Sequence, residues 1–132
     1  MIKEISLNTS KRNELIDITK KITNIVNQSK VKQGVCIVYC PHTTAAITIN
    51  ESADPAVQRD ILVNLSKLIP EKGNYQHSEG NSDSHIKSSI IGASETLIIK
   101  NNNLILGTWQ SIYFAEFDGP RQRKVIIKII QQ

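Results

Sequence analysis

Residues 34–40 read Gly-Val-Cys-Ile-Val-Tyr-Cys, an apolar run without a polar position to mark a solvent face. A run of this length, flanked by turn residues and rich in β-branched side chains, is a strand apolar on both faces. After Pro41-His42-Thr43-Thr44 a second strand follows, Ala-Ala-Ile-Thr-Ile-Asn at 45–50. A chain with such strands must be organised around sheet, and the other segments fall into place about them. Residues 2–9 alternate as a strand with one moderate apolar face. Residues 13–28 carry Leu15, Ile18, Ile22 and Ile25 at helical spacing. Asp54-Pro55 is a helix start: Asp54 caps and Pro55 suits the first helical position. Val57, Ile61, Leu65 and Leu68 are the expected buried face of that helix, and Pro70 and Gly73 stop it. A short helix is expected from about Asp83 to Ile91, ending near Gly92. Thr-Leu-Ile-Ile-Lys (96–100) and Asn-Leu-Ile-Leu-Gly (103–107) form a hairpin about Asn101-Asn102, residues that tolerate the left-handed conformation of such turns. Residues 108–117 are a long strand, Asp118-Gly119-Pro120 turns the chain, and residues 123–130 close it. The reading is one α+β domain over residues 1–132, with a largely antiparallel sheet and two to three helices.

At 132 residues such a chain buries enough surface to fold without a metal or disulfide. Cys36 and Cys40 lie four positions apart in one strand, about 13 Å between Cα atoms. They cannot pair, so a reducing, cytoplasmic setting is expected. No apolar run is long enough to span a bilayer and no leader-like h-region opens the chain, so no membrane partner is expected. The net charge of +4 is spread along the sequence, with one cluster at Arg121, Arg123 and Lys124. Sparse aromatics and dispersed charge argue against nucleic acid and fit a small anionic ligand better.

The chemistry-bearing residues sit in polar settings. His42, His77 and His85 lie in PHTT, YQHSEGN and SDSHIK. Three neutral imidazoles can ligate a transition metal, yet this spacing also suits three unrelated surface histidines. Asp83 either orients His85 or caps the short helix. Glu51, where a strand passes to a helix in Asn50-Glu51-Ser52-Ala53-Asp54, is a candidate general acid/base or a solvated carboxylate. Pro120 is an unusual third residue for a bare turn. Arg121 and Arg123 are expected to share one strand face, suited to phosphate or simply exposed. Trp109 reads as core or interface packing. The cysteines read as buried and unreactive. Residues 71–84 form a long polar loop holding His77, and long loops in small domains are often functional or mobile.

Three segments taken together, PHTTAAITINESADP (41–55), HSEGNSDSHIKSSIIG (77–92) and LGTWQSIYFAEFDGPR (106–121), resemble the YjbQ-like family, also called the secondary thiamine-phosphate synthase family. The resemblance covers nearly the whole chain. It implies a mixed α/β sandwich assembled as a homotrimer, with a pocket that gathers these motifs. It also implies a weak thiamine-phosphate synthase activity, which joins a pyrimidine diphosphate to a thiazole phosphate and releases pyrophosphate. Carried onto this sequence, it nominates His42, Thr43, Asn50, Glu51, Asp54, His77, Asn81, Asp83, His85, Gln110, Glu116 and Arg121. We assign Glu51, His85, Glu116 and Arg121 to catalysis. Thr43, Asn50, Asn81, Gln110 and Arg123 are assigned to substrate, and His42, His77 and His85 to a metal. The partner expected is a phosphorylated small molecule. The cofactor expected is a divalent ion: zinc-like for histidine ligands, magnesium if pyrophosphate leaves. The alternatives are a metal-dependent phosphoester hydrolase, with Glu51 or Glu116 as base, and a non-enzymatic metal or metabolite binder.

Overall fold

A computed structural model describes residues 1–132. In chain order the elements are β1 (Ile2–Asn8), β2 (Glu14–Asp17), α1 (Thr19–Ser29), β3 (Gln33–Tyr39), β4 (Ala45–Glu51), α2 (Pro55–Leu68), α3 (Ser82–Ile91), β5 (Ser94–Lys100), β6 (Asn103–Leu104), β7 (Gln110–Glu116) and β8 (Gln122–Gln131). They build two antiparallel sheets, of order β1-β8-β3-β5-β6 and β2-β7-β4. The main core lies where the two sheets and α1 meet. Cys36, Val38, Ile127 and Ile129 of the larger sheet pack with Ile47, Ile112 and Phe114 of the smaller, and with Ile22 and Val26 of α1. The other face of the smaller sheet, at Ala46 and Ala115, packs under Leu62 and Leu65 of α2 and Ile91 of α3. The result is the expected α+β sandwich, with three helices.

One expectation about the elements is corrected and two are sharpened. The helix expected over 13–28 begins only at Thr19, because Glu14–Asp17 pair with β7. Leu15 packs toward α2, whereas Ile18 and Ile22 enter the main core, so the apparent stripe serves two faces. Helix α2 starts as read, with the Asp54 carboxylate accepting from Ala56 N at 2.9 Å. Its expected face is covered only in part: Val57, Ile61 and Leu65 are half-buried, no α2 residue is fully buried, and Leu68 is 79% exposed. Strand β3 buries only its Cys36–Val38 face. On the opposite face Val35 lies in register between Ile98 and Ile130, which are 57% and 45% exposed.

The hairpin turn is as read. Asn101 and Asn102 have φ of 52° and 61°. Asn102 Nδ2 also donates to the Val26 and Val31 carbonyls, which ties the turn to the end of α1. Its second strand is short, and Trp109 lies outside β7 and is 63% exposed, not in the core.

Candidate functional site

At the start of β4 the chain comes out of β3 through Pro41-His42-Thr43-Thr44. The β7–β8 turn and the N-terminal end of α3 converge on the same place. Between them lies a cleft of about 360 Å³. Its walls are Pro41–Thr44, Glu79 and Asn81 ahead of α3 with His85 on it, and Asp118, Arg121 and Arg123 from the β7–β8 segment. No hydrophobic side chain lines it.

The floor is a buried ion pair. Glu116 ends β7 with no exposed surface, and its carboxylate accepts from Arg123 Nε at 2.8 Å and Thr9 Oγ1 at 2.7 Å. The backbone N–H groups of Phe117 and Asp118 donate to it as well. Burial alone would raise its pKa. The hydrogen bonds from Arg123, Thr9 and Asp118 outweigh that and hold it below the usual carboxylate range. A carboxylate so saturated has no lone pair to offer a substrate proton, so Glu116 leaves the list of candidate bases. Its work is to fix Arg123, whose Nη2 also donates to Thr44 Oγ1 at 2.8 Å.

Arg121 and Arg123 do not share a strand face. Arg121 precedes β8 and is half-exposed. It donates from Nε to the Asp118 carbonyl at 2.8 Å and from Nη2 to Asp118 Oδ2 at 2.9 Å. Asp118 Oδ2 also accepts from Asn81 Nδ2 at 2.8 Å, joining the turn to the α3 terminus. Asn81 Oδ1 is buried without a hydrogen-bond partner, an acceptor free for a donor.

The histidines are related two by two. His42 Nε2 accepts from Lys124 N at 2.9 Å, so the other ring nitrogen carries the proton in the neutral form. Burial, and then the charge of Arg123, lower its pKa and keep it neutral. His42 and His85 share the polar cleft. The His77 and His85 rings meet edge to face, centroids 5.4 Å apart. No group of three or more His, Cys, Asp or Glu side chains is placed to hold a metal ion.

Asp83 takes neither role expected of it. It is fully buried and is gripped by Arg12 Nη1 and Nη2, each at 3.0 Å, and by Lys87 Nζ at 3.2 Å. Asn81 occupies the N-cap position of α3 without a side-chain capping bond. Asn50, Glu51, Asp54 and Gln110 stand at the far end of the smaller sheet. Register places Glu116 opposite Ala45 and Gln110 opposite Glu51, six residue steps away and therefore about 20 Å. There Gln110 Oε1 accepts from Gly107 N, and the Tyr113 hydroxyl donates to the Glu51 carbonyl. The expected site is thus gathered in part: His42, Thr43, Asn81, His85, Arg121 and Arg123 come together, with His77 beside them. Sequence reasoning missed Thr44 and Glu79 on the cleft wall and Thr9 beneath it. Thr9 carries no motif. Glu79 lies within the histidine loop segment and could have been nominated from it.

Fold and cleft together define a small two-sheet α+β domain with a polar, metabolite-sized opening at the end of its smaller sheet. The chain belongs to the UPF0047 protein YjbQ-like family, whose model matches residues 3–132. It is 56% identical over 130 residues to the UPF0047 protein MJ1081 of Methanocaldococcus jannaschii, covering 98% of this chain and 94% of that one. It is 48% identical over 131 residues to the UPF0047 protein YugU of Bacillus subtilis, covering 98% and 99%. A crystal structure of an uncharacterised YjbQ/UPF0047 protein from Clostridium acetobutylicum superposes with a TM-score of 0.96 at 58% identity, over 97% of this chain and 99% of that one. A Sulfolobus solfataricus protein of unknown function gives the same TM-score at 30% identity, over 100% and 97%.

Proposed function

We propose that the chain is an enzyme acting on a phosphorylated small molecule in the His42–His85–Arg121 cleft, its reaction a thiamine-phosphate-synthase-like transfer. One observation carries the reading: a cleft of metabolite size, without hydrophobic lining, in which an Asp118-aimed guanidinium shares the walls with two histidines and two threonine hydroxyls. Arg121 supplies donors suited to a diphosphate, and the α3 N-terminus adds its dipole. Buried Arg123, paired with Glu116, holds the floor of the cleft in place and fixes Thr44 through its Oγ1. In that transfer the bond from the pyrimidine methylene carbon to the diphosphate oxygen breaks as the thiazole nitrogen bonds to the same carbon, and His85 is the residue for giving a proton to the leaving pyrophosphate. The protein donors alone make no metal cage, so a divalent cation in this reading enters with the diphosphate and is held largely by its oxygens.

Calorimetric titration with inorganic pyrophosphate tests the anion end. Arg121→Ala should weaken binding roughly 10- to 100-fold, the range for losing charged hydrogen bonds. His85→Ala should keep pyrophosphate affinity and lose thiamine-phosphate formation. Formation that persists unchanged in both purified variants would sink the reading. Metal-stimulated phosphatase activity that depends on His85 would replace it with the hydrolase.

The assembly that goes with this reading is a cytoplasmic homotrimer. It is supported by the uncovered apolar face of the larger sheet, where Val35, Ile98 and Ile130 adjoin. It is supported also by the distance of Glu51 and Gln110 from the cleft of their own chain, which a second copy could shorten. Ile98→Lys should shift the sedimenting species from trimer to monomer. A wild-type monomer at micromolar concentration would overturn the proposal.

A further inference from the structure

We infer that the polar cleft takes a zwitterion, an oxyanion joined by a short spacer to a primary ammonium group, with Arg121 receiving the first and Asp118 the second. The inference rests on reading the cleft as a phosphate site, and it names what else the ligand must carry. Charge is the starting point. Both guanidinium groups of the wall already face a carboxylate: Arg123 pairs with Glu116 below, and Arg121 with Asp118 beside it. Burial and the charge of Arg123 keep His42 neutral. Among the Asp, Glu, Lys and Arg side chains of the wall, the one left over is a carboxylate, Glu79. It lies 3.8 Å from His77 Nε2, beyond hydrogen-bond reach. A bare phosphate therefore meets no Arg or Lys cation that is not already compensated, and shedding its water there is unfavourable. A ligand that brings its own positive charge removes that deficit.

The donors and acceptors left over suit such a ligand. A guanidinium has five N–H groups. Arg121 gives two of them to Asp118, from Nε to the carbonyl and from Nη2 to Oδ2. Both hydrogens on Nη1 and one on Nη2 remain, the end-on fork from which an oxyanion accepts. Asp118 Oδ2 takes two donors, Arg121 Nη2 at 2.9 Å and Asn81 Nδ2 at 2.8 Å, and no donor of the chain reaches Oδ1. Two bonds to one oxygen fix the carboxylate, so Oδ1 is a preset acceptor in the cleft wall. Asn81 Oδ1, buried without a partner, adds uncompensated negative potential on the same side. Glu79, two residues before it, adds a full charge. Because Arg121 and Asp118 touch, the two charges of the ligand stand only a short spacer apart. An ammonium needs one acceptor for each hydrogen, which this wall offers. A divalent ion needs several oxygens round one point, and no group of three or more His, Cys, Asp or Glu side chains is so placed.

The test compares phosphoethanolamine with ethyl phosphate, which lacks only the ammonium, by calorimetric titration with a chelator present. Wild type should bind phosphoethanolamine roughly 10- to 100-fold more tightly, the range for a charged hydrogen bond. Asp118→Asn should abolish that preference. With Arg121 relieved of its counter-charge, it should also bind ethyl phosphate more tightly than wild type does, whereas a change that merely unseats Arg121 weakens both esters. Glu79 is 75% exposed, so Glu79→Gln leaves folding intact. It should reduce the preference several-fold, and the reduction should fade at high salt. The inference is overturned if wild type binds the two esters equally, if the preference survives in Asp118→Asn, or if ethyl phosphate with magnesium matches phosphoethanolamine without it. Should Asp118→Asn fail to fold, an unchanged preference in Glu79→Gln overturns the inference. Pyrophosphate binding that depends on Arg121, with no preference between the esters, would defeat this inference and leave the phosphate reading standing. No binding of any of the three would strike both.

Discussion

Asp83→Ala is expected to lower the free energy of unfolding by about 3–5 kcal/mol, the cost of breaking a buried ion pair from one side. The carboxylate stands at a junction of three segments. Arg12, from the β1–β2 connection, binds it through two nitrogens, and Lys87, one helical turn on, binds it from α3. Lys87 is 1% exposed, and its ammonium also reaches Asn13 Oδ1 at 3.2 Å and Ser66 Oγ of α2 at 3.3 Å. Removing Asp83 leaves that ammonium with neutral partners only, in a place that water does not reach. Lys87→Met should cost less, because Asp83 keeps the bidentate Arg12. Asp83→Leu combined with Lys87→Met should cost less than Asp83→Ala, since neither charge is then stranded. Urea denaturation of the four proteins checks the order. A cost below about 1 kcal/mol for Asp83→Ala would show that the buried Lys87 ammonium finds another partner. The same network seats α3, the element that carries His85 and starts at Asn81.

How far the sequence discloses the site follows from which signals are local. The Asp54-Pro55 start of α2, the Asn101-Asn102 turn and the end of α3 at Gly92 depend on backbone chemistry within a few residues, and the structure keeps them. Glu14–Asp17 depend on β7, a hundred residues away, and there pairing overrides a helical-looking stripe. The site divides in the same way. His42, Thr43 and Arg121 flank strand ends, so topology brings them to one opening. Glu51 and Gln110 flank the opposite ends of the same two strands, and topology must keep them apart. Motif membership says nothing about which end of a strand a residue occupies. Nor does it separate a carboxylate that reacts from one that braces. Glu116 and Asp83 look like site residues in the sequence, and both prove to be buried counter-ions. Lys87, four positions after Asp83 on an expected helix, was a readable sign of that pairing.

Glu116→Ala is the second change expected to cost about 3–5 kcal/mol, and its pH dependence distinguishes it from a packing defect. Without Glu116, the guanidinium of Arg123 stays buried beside Thr44 and loses its charge partner, and the Asp118 N–H loses its acceptor while the Phe117 N–H keeps the Thr44 carbonyl. Glu116 has a folded pKa below the ordinary value, and so does Asp83: in each, burial pushes up and the cationic partners pull down harder. Between the folded and unfolded pKa values the unfolded chain binds more protons, so stability rises with pH across that window. The stabilisation from both carboxylates is therefore complete above the unfolded values, about 4, and disappears as pH falls through the folded ones. Wild-type stability should lose this contribution steeply below about pH 4. Glu116→Ala should start lower and fall less steeply in the same range, since one of the two linked protons is gone. Glu116→Gln, which keeps the shape and some hydrogen bonds, should lie between them at neutral pH and share the shallower acid slope. Urea midpoints from pH 7 down to pH 3 decide the matter. Parallel curves for wild type and Glu116→Gln would mean that this carboxylate is not ionised in the folded chain, and the cleft floor would have to be redrawn as a neutral hydrogen-bonded acid beside Arg123.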